Sequence, residues 1–227
     1  MIKSLFNLFF PPACLGCNRF LSTNEAVICT QCRHDIPLTN QHLHQENEVL
    51  TKLYGRLPLE HASALMYFHK KGIAQELIHN LKYRGHQEVG DLMGNWYGSA
   101  LKMCENLQTI DAIIPIPLHG KRLKKRGYNQ LTTFGKALSK ELNCPLNETI
   151  LKRMQNSKTQ TFKNLLSRNE IKSHTFQAHF SENDHNKHFL LIDDVITTGA
   201  TLEAAGKALL EIPNIKISVV CMAMASS

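Results

Sequence analysis

The chain after residue 60 alternates between two patterns of hydrophobic positions: short continuous apolar runs and stripes with helical spacing. Continuous runs of this length, bounded by turn residues, are typical of strands that are buried on both faces. The runs that we predict to be strands lie at residues 62–68, 111–117, 148–153, 188–193 and 215–225. Together they predict a sheet at the centre of the fold.

The segments between these runs carry apolar residues three and four positions apart, which predicts helices. Ile73, Leu77 and Leu81, for example, fall on one helical face. The predicted helices lie at residues 72–83, 89–104, 131–142 and 201–212. Strands that alternate with helices favour an α/β fold, with a parallel, doubly wound sheet flanked by helices on both faces.

The chain before residue 61 has neither pattern. Residues 42–60 are polar and aperiodic, which predicts a linker. A chain of 227 residues has room for one full domain and a small appendage. We therefore predict a cysteine-containing module at residues 1–41, a linker at 42–60 and the α/β domain at 61–227.

Four of the seven cysteines form two C-x-x-C pairs near the N-terminus: Cys14, Cys17, Cys29 and Cys32. Two such knuckles can complete a tetrahedral shell of four thiolates, so the spacing predicts a structural zinc site. The alternative is four free thiols in a loop-rich segment, but a segment this small has too little core to fold without a staple. A redox role is less favoured, because neither pair follows a strand and opens a helix.

The net charge of the chain is +7, with 26 basic against 19 acidic residues. This excess favours phosphate-bearing partners, whether nucleotides, nucleic acid or anionic lipid, without choosing among them. The apolar start is interrupted by Pro11 and Pro12 before it reaches the length of a signal peptide, and no apolar run reaches about 18 residues. We expect a cytoplasmic protein without a membrane span.

The segment FLLIDDVITTGATL, residues 189–202, joins an apolar strand to two acids and a small, hydroxyl-rich turn. The turn leads into a helix, so its N–H groups and the positive end of the helix can converge on a phosphate. The acids suit hydroxyls or a magnesium ion instead, and the combination predicts a ribose 5-phosphate site. The alternative is that the acids only cap and solubilise a strand end. The predicted site residues are Asp193, Asp194, Thr197, Thr198, Gly199, Ala200 and Thr201.

A second candidate is the basic segment HGKRLKKRGYNQ, residues 119–130. Its cations can neutralise a diphosphate, or they can track single-stranded DNA while an aromatic ring stacks on a base. The alternative is a solvated charged face. The residues concerned are Lys121, Arg122, Lys124, Lys125, Arg126 and Tyr128.

These motifs carry a resemblance to a known family. LLIDDVITTGAT resembles the loop of type I phosphoribosyltransferases that binds 5-phosphoribosyl-1-pyrophosphate (PRPP). The cysteine pairs, LKYRG at residues 81–85, PIPLHGKRLKKRGYNQ at 115–130 and TQTFKNLLSRN at 159–169 extend the likeness over nearly the whole chain. The chain is similar to the ComF family of competence-associated, phosphoribosyltransferase-like proteins, which includes GntX-like members.

The resemblance implies a role for each part of the site. Asp193 and Asp194 would face the ribose hydroxyls, directly or through Mg²⁺, and the turn from Thr197 to Thr201 would hold the 5-phosphate. Pyrophosphate would bind near residues 117–121, and residues 155–169 would form a flexible hood loop. Purine-salvage members carry an acidic general base where this chain has Thr197, so proton abstraction from a nucleobase is not expected.

The resemblance also implies a function. The family acts in natural transformation, in the uptake of single-stranded DNA into the cytoplasm, alongside a helicase-like partner at the inner face of the membrane. Two alternatives stay open: an active Mg²⁺-dependent phosphoribosyltransferase on an unknown acceptor, and a PRPP-sensing regulator without catalysis.

Overall fold

The computed structural model describes residues 11–154 and 175–225. In chain order the helices are α1 (Thr30–Asp35), α2 (Glu48–Leu53), α3 (Ile73–Tyr83), α4 (Glu88–Leu101), α5 (Gly120–Arg126), α6 (Leu131–Leu142) and α7 (Ala200–Leu209). The strands are β1 (His61–Phe68), β2 (Ala112–Pro115), β3 (Leu151–Arg153), β4 (Phe176–Ala178), β5 (His188–Ile196) and β6 (Lys216–Ala225). The predicted hood loop at residues 155–169 lies outside the described residues.

Four strands form a fully parallel sheet in the order β1-β6-β5-β2. β5 and β6 are the two inner strands, and their central residues are buried on both faces, as the continuous apolar runs predict. Because all four strands point the same way, their carboxyl ends share one edge of the sheet. The acids Asp193 and Asp194 lie near the end of β5 and therefore at this edge, where ligands gather in open parallel sheets.

Helices α4 and α6 pack against each other unusually closely, because α4 has glycine where the two helices touch. A Cβ atom at Gly94 would lie 2.5 Å from the Cβ of Ala137 and 2.7 Å from the carbonyl oxygen of Phe134. A Cβ at Gly98 would lie 2.6 Å from the Cβ of Glu141. These distances are shorter than the sum of the van der Waals radii of the two atoms, so only glycine permits the contact.

The interpretation of residues 42–60 as a linker is wrong. The segment contains α2, whose N-cap Asn47 accepts hydrogen bonds from the N–H groups of Val49 and Leu50. The side chains of Val49 and Leu53 are completely buried, and Leu57 is nearly so. These three residues are four positions apart, which is a helical spacing, although α2 ends at Leu53 and Leu57 lies beyond it. The segment is therefore a packed part of the domain.

The short helix α5, formed by the basic segment, and the strand β4 were not expected from the sequence. The predicted strand at residues 148–153 contains β3, but β3 pairs with β4 in a separate antiparallel ribbon and does not join the central sheet. None of the helices within residues 11–154 and 175–225 has the length and apolar character required to cross a membrane.

The close contact between α4 and α6 leads to a prediction about Gly94. In an exposed helix a change from glycine to alanine stabilises by up to about 1 kcal/mol. Here we expect Gly94→Ala to lower the free energy of unfolding by about 1–3 kcal/mol, because the added methyl group overpacks the helix contact. Urea unfolding measures the effect, and Asn95→Ala, at the neighbouring exposed position of the same helix, is the control. A stabilised Gly94→Ala variant would show that the helices are not this close.

Candidate functional site

The four N-terminal cysteines converge on one point. The Sγ atoms of Cys14, Cys17, Cys29 and Cys32 all lie within 4.8 Å of one another. Sulfurs held about 2.3 Å from a tetrahedral centre are about 3.8 Å apart, and the Sγ atoms of Cys17 and Cys29 are 3.7 Å apart. The four sulfurs therefore have the spacing that a zinc ion requires.

The surroundings of the cluster stabilise negative charge at some of its sulfurs, whereas burial raises the pKa of Cys32. The backbone N–H groups of Gly16 and Cys29 donate to the Sγ of Cys14 at 3.4 and 3.2 Å. Hydrogen bonds from Arg19 lower the pKa of Cys17 to about 6, and the guanidinium Nε of Arg19 lies 3.4 Å from the Sγ of Cys17. Thiolates are the form that binds metal, so the donor set fits a zinc ion.

The cysteine module packs directly on the α/β domain. The side-chain amide of Asn80, a buried residue of α3, donates to the carbonyl oxygen of Leu15 at 2.7 Å. The guanidinium of Arg33 lies 5.1 Å from the ring centre of Trp96 on α4. The module thus packs against α3 and α4, and α3 carries Lys82 in its last turn.

A crevice of about 610 Å³ opens at the carboxyl ends of β2 and β5 and contains both acids. Within it the Nζ of Lys82 donates to Oδ1 of Asp194 at 2.7 Å, and the amide of Gln130 donates to Oδ2 at 2.5 Å. Asp194 is only 8% exposed. A carboxylate that is buried and held on both oxygens does not act as a solvent-facing cap of the strand, so that alternative is excluded for Asp194.

The second acid, Asp193, has a different environment. Burial raises the pKa of Asp193 to about 8, and the adjacent charge of Asp194 adds to the effect, while Lys82 and Arg153 oppose it. Among the described residues the carboxylate of Asp193 accepts one hydrogen bond, from the N–H of Asp194 at 2.8 Å. Its remaining oxygen is available to a ligand that supplies a hydroxyl group or a cation.

Cations outnumber these acids in the crevice. Of the described residues, five cationic side chains line it together with the two carboxylates: Lys82, Arg122, Lys125, Arg126 and Arg153. Burial lowers the pKa of the Arg153 guanidinium, the charge of Arg122 lowers it further and the charge of Asp193 opposes them. The excess of positive charge favours an anionic ligand that also has groups for the acids.

The turn after β5 lies at the same edge of the sheet. Gly199 has φ +77°, a left-handed conformation that favours glycine, and α7 begins at the next residue. Thr201 lines the crevice, and the hydroxyl oxygen of Thr198 accepts from the N–H of Ala200 at 3.4 Å. Thr197 instead borders a neighbouring cavity of about 720 Å³. The predicted turn and helix start are therefore present, but its threonines face different spaces.

The basic segment divides between the crevice and the solvent. Arg122, Lys125 and Arg126 line the crevice, whereas Lys121 and Lys124 are exposed and are not part of its lining. Tyr128 also lines it, and its hydroxyl group donates to the carbonyl oxygen of Leu81. The ring of Tyr128 is therefore fixed against α3 and is not a freely projecting stacking platform.

The sequence interpretation missed three residues of this site. Lys82 lies within LKYRG and Gln130 ends PIPLHGKRLKKRGYNQ, so both were part of quoted motifs but were given no role. Arg153 is the last residue of a short strand and carries no motif signal. Only the fold brings these side chains to the two acids.

Comparison with known proteins identifies the fold and relatives. The family described as "Phosphoribosyl transferase domain" matches residues 132–226. The chain is 36% identical over 109 residues to Competence protein F of Haemophilus influenzae, which covers 48% of either chain. It is 26% identical over 217 residues to DNA utilization protein YhgH of Shigella flexneri, covering 92% of this chain and 88% of that one.

A third relative is Competence protein ComFC of Bacillus subtilis, 29% identical over 138 residues. That match covers 60% of this chain and 53% of the relative, so the chain spans about half the length of the two competence proteins that it matches. Together with the parallel sheet, the domain match confirms the predicted fold class, a type I phosphoribosyltransferase-like α/β fold with a four-cysteine cluster near the N-terminus.

The cysteine geometry predicts one zinc ion per chain. We expect Cys29→Ser to lose the metal and to lower the free energy of unfolding by about 3 kcal/mol, which is a modest share of the roughly 10–16 kcal/mol that structural zinc supplies. For a chain of this length, that loss lowers the melting temperature by roughly 6–12 °C. Elemental analysis and thermal unfolding measure both effects. Cys144→Ser is the control, since Cys144 is a buried thiol outside the cluster. A zinc content that is equal in both variants would contradict a four-thiolate site.

Proposed function

Since the chain belongs to the ComF family of competence-associated, phosphoribosyltransferase-like proteins, we propose that it handles incoming single-stranded DNA during natural transformation and binds PRPP in its crevice. The relatives named for competence and for DNA utilization support the first part. The domain match and the chemistry of the crevice support the second.

The observation that carries the proposal is the composition of the crevice. A carboxylate pair at the end of a buried strand faces five cations, and a turn that leads into a helix lies beside it. A ligand that satisfies all three must combine hydroxyl groups with phosphates at both ends. PRPP has this composition, since its ribose hydroxyls lie between a 5-phosphate and a pyrophosphate.

Each group of PRPP has a candidate partner. The turn from Thr197 to Thr201 takes the 5-phosphate, because N–H groups at the start of a helix favour anions. The crevice cations, Arg122 and Lys125 among them, take the pyrophosphate. Asp193 takes the ribose hydroxyls or Mg²⁺, since Asp194 is already held by Lys82 and Gln130.

Binding is better supported than catalysis. In the alternative function a nitrogen nucleophile forms a bond to C1 of the ribose while the C1–O bond breaks and pyrophosphate leaves. Thr197 supplies no general base for that nucleophile. A PRPP-sensing regulator uses the same binding site and needs no acceptor. Within the main proposal the chain acts on the cytoplasmic side of the membrane beside a helicase-like partner, and this last point is supported by the family resemblance alone.

Calorimetry with PRPP and Mg²⁺ tests the ligand. We expect the native chain to bind and the Asp193→Asn/Asp194→Asn variant to bind at least about tenfold more weakly, because hydrogen bonds to charged groups contribute about 1.5–3 kcal/mol. Lys125→Gln should weaken binding, whereas Lys124→Gln, one residue away but outside the crevice, should not. Absence of binding by the native chain would remove the PRPP proposal. Release of pyrophosphate with an added acceptor would favour the transferase alternative.

Binding to single-stranded DNA tests the other part of the proposal, which is that the chain handles incoming DNA. We expect the affinity to fall steeply as the salt concentration rises. Simultaneous charge reversal at Lys124, Lys125 and Arg126 should reduce the slope of log affinity against log salt concentration by about 2, since each phosphate contact contributes about 0.7 to it. Fluorescence anisotropy over a salt series measures this slope. Lys140→Glu, an exposed lysine on α6, is the control. Binding that is absent at low salt, or insensitive to salt, would exclude direct DNA contact by this surface.

A further inference from the structure

Helix α2 and the residues that follow it lie against the turn from Thr197 to Thr201, which we call the phosphate turn. We call residues 48–57 the strap. Leu53 packs over Gly199, where a Cβ atom would lie 2.8 Å from the leucine Cδ2. Leu57 packs over Gly206 in the same way, at 2.6 Å from its Cδ1. The strap therefore contacts both the turn and the helix α7 that the turn begins.

Arg56 is the polar contact of the strap with the turn. Its Nη1 donates to the carbonyl oxygen of Thr198 at 2.6 Å and to that of Lys52 at 3.1 Å. Its Nε and Nη2 donate to Oε2 of Glu203 at 2.8 and 2.5 Å. One guanidinium thus joins the strap, the turn and the first full turn of α7. Lysine cannot make these contacts together, because it lacks the planar fork of donors.

The contact with Thr198 fixes the orientation of a peptide group. The peptide bond between Thr198 and Gly199 is trans, as are all the described peptide bonds, so its C=O and N–H point in opposite directions. When Arg56 holds the carbonyl oxygen on the strap side, the N–H of Gly199 points away from the strap. That N–H belongs to the group of donors that a phosphate meets at a helix start.

The contact with Glu203 removes an obstacle to an anion. Glu203 lies in the first turn of α7, where a bare carboxylate would repel phosphate. Hydrogen bonds from Lys207 and Arg56 lower the pKa of Glu203, which is therefore ionised at neutral pH. Lys207 donates to Oε1 at 2.7 Å, so both oxygens of the carboxylate are occupied by cations.

We propose that Arg56 is a positioning residue of the phosphate turn: it holds the Thr198 carbonyl and orients the turn for the 5-phosphate of its ligand. This inference rests on the proposed function, because it assumes that the turn binds a phosphate. It assigns to the segment that the sequence predicts as a linker an indirect role in ligand affinity. Arg56 acts through the turn and does not itself contact the ligand.

The experiment compares ribose 5-phosphate, inorganic pyrophosphate and PRPP by calorimetry on the full chain. We expect Arg56→Ala to weaken ribose 5-phosphate and PRPP about tenfold, because it removes a charge-assisted hydrogen bond from the turn. Pyrophosphate should bind within about twofold of the native chain, since its proposed partners are the crevice cations and not the turn. Arg56→Lys keeps the charge but loses the fork, and it should remain several-fold weaker than the native chain for ribose 5-phosphate.

Lys207→Gln is the matched control, because Lys207 pairs with the same Glu203 but does not contact the turn. We expect it to bind ribose 5-phosphate within about twofold of the native chain. If Lys207→Gln weakens binding as much as Arg56→Ala, neutralisation of Glu203 explains the effect and positioning by Arg56 is overturned. The same holds if Arg56→Ala and Arg56→Lys both bind as the native chain does.

A failure of this inference differs from a failure of the proposed function. If the native chain binds PRPP and the Arg56 variants bind it equally well, only the inference fails. If the native chain binds none of the three ligands, the proposed PRPP site fails and the inference fails with it. Pyrophosphate binding by Arg56→Ala reports whether the crevice of this variant is folded. If it is not folded, Arg56→Lys takes its place as the test of the inference.

Discussion

The rest of the site depends on two adjacent acids at the end of a central strand, of which Asp194 is buried and Asp193 is partly buried. A buried charge is costly unless partners are brought to it. Asp194 receives Lys82 from the end of α3 and Gln130 from the start of α6, while the charge of Arg153 on β3 acts on Asp193. Helices and strands from three parts of the chain therefore meet at one point, and the cations that offset the acids also make the crevice attractive to anions.

Two parts of the chain outside the sheet support this arrangement from different sides. The cysteine module contacts α3 through Leu15 and Asn80, close to Lys82. The strap contacts the turn after β5 through Arg56 and Leu53. The four-cysteine module and a segment between module and sheet thus both pack on elements that carry site residues. This gives the N-terminal third of the chain a part in the site as well as in the fold.

The same chemistry bears on what the protein does with its ligand. In the proposed function the acids bind hydroxyl groups and the turn binds a phosphate, and together with the excess of cations this would be sufficient for recognition of a ribose phosphate. Transfer to an acceptor also requires activation of a nucleophile, and Thr197 provides no carboxylate for that purpose. The relatives are named for competence and for the use of DNA, and those names support the proposed function without identifying the ligand.

The sequence by itself determined the alternation of strands and helices, the four-cysteine cluster, the acid pair and the turn, because each is a local pattern of apolar spacing or of residue types that chemistry requires. Tertiary structure alone decided which cations face the acids: Lys82 and Arg153 are 71 positions apart in the chain, and no local pattern joins them. It also decided that residues 48–57, within the segment predicted to be a linker, pack on the turn after β5 and on α7. Leu53 and Leu57 are buried in part against Gly199 and Gly206, which lie about 150 positions away in the chain, so no local pattern contains the surface that covers them.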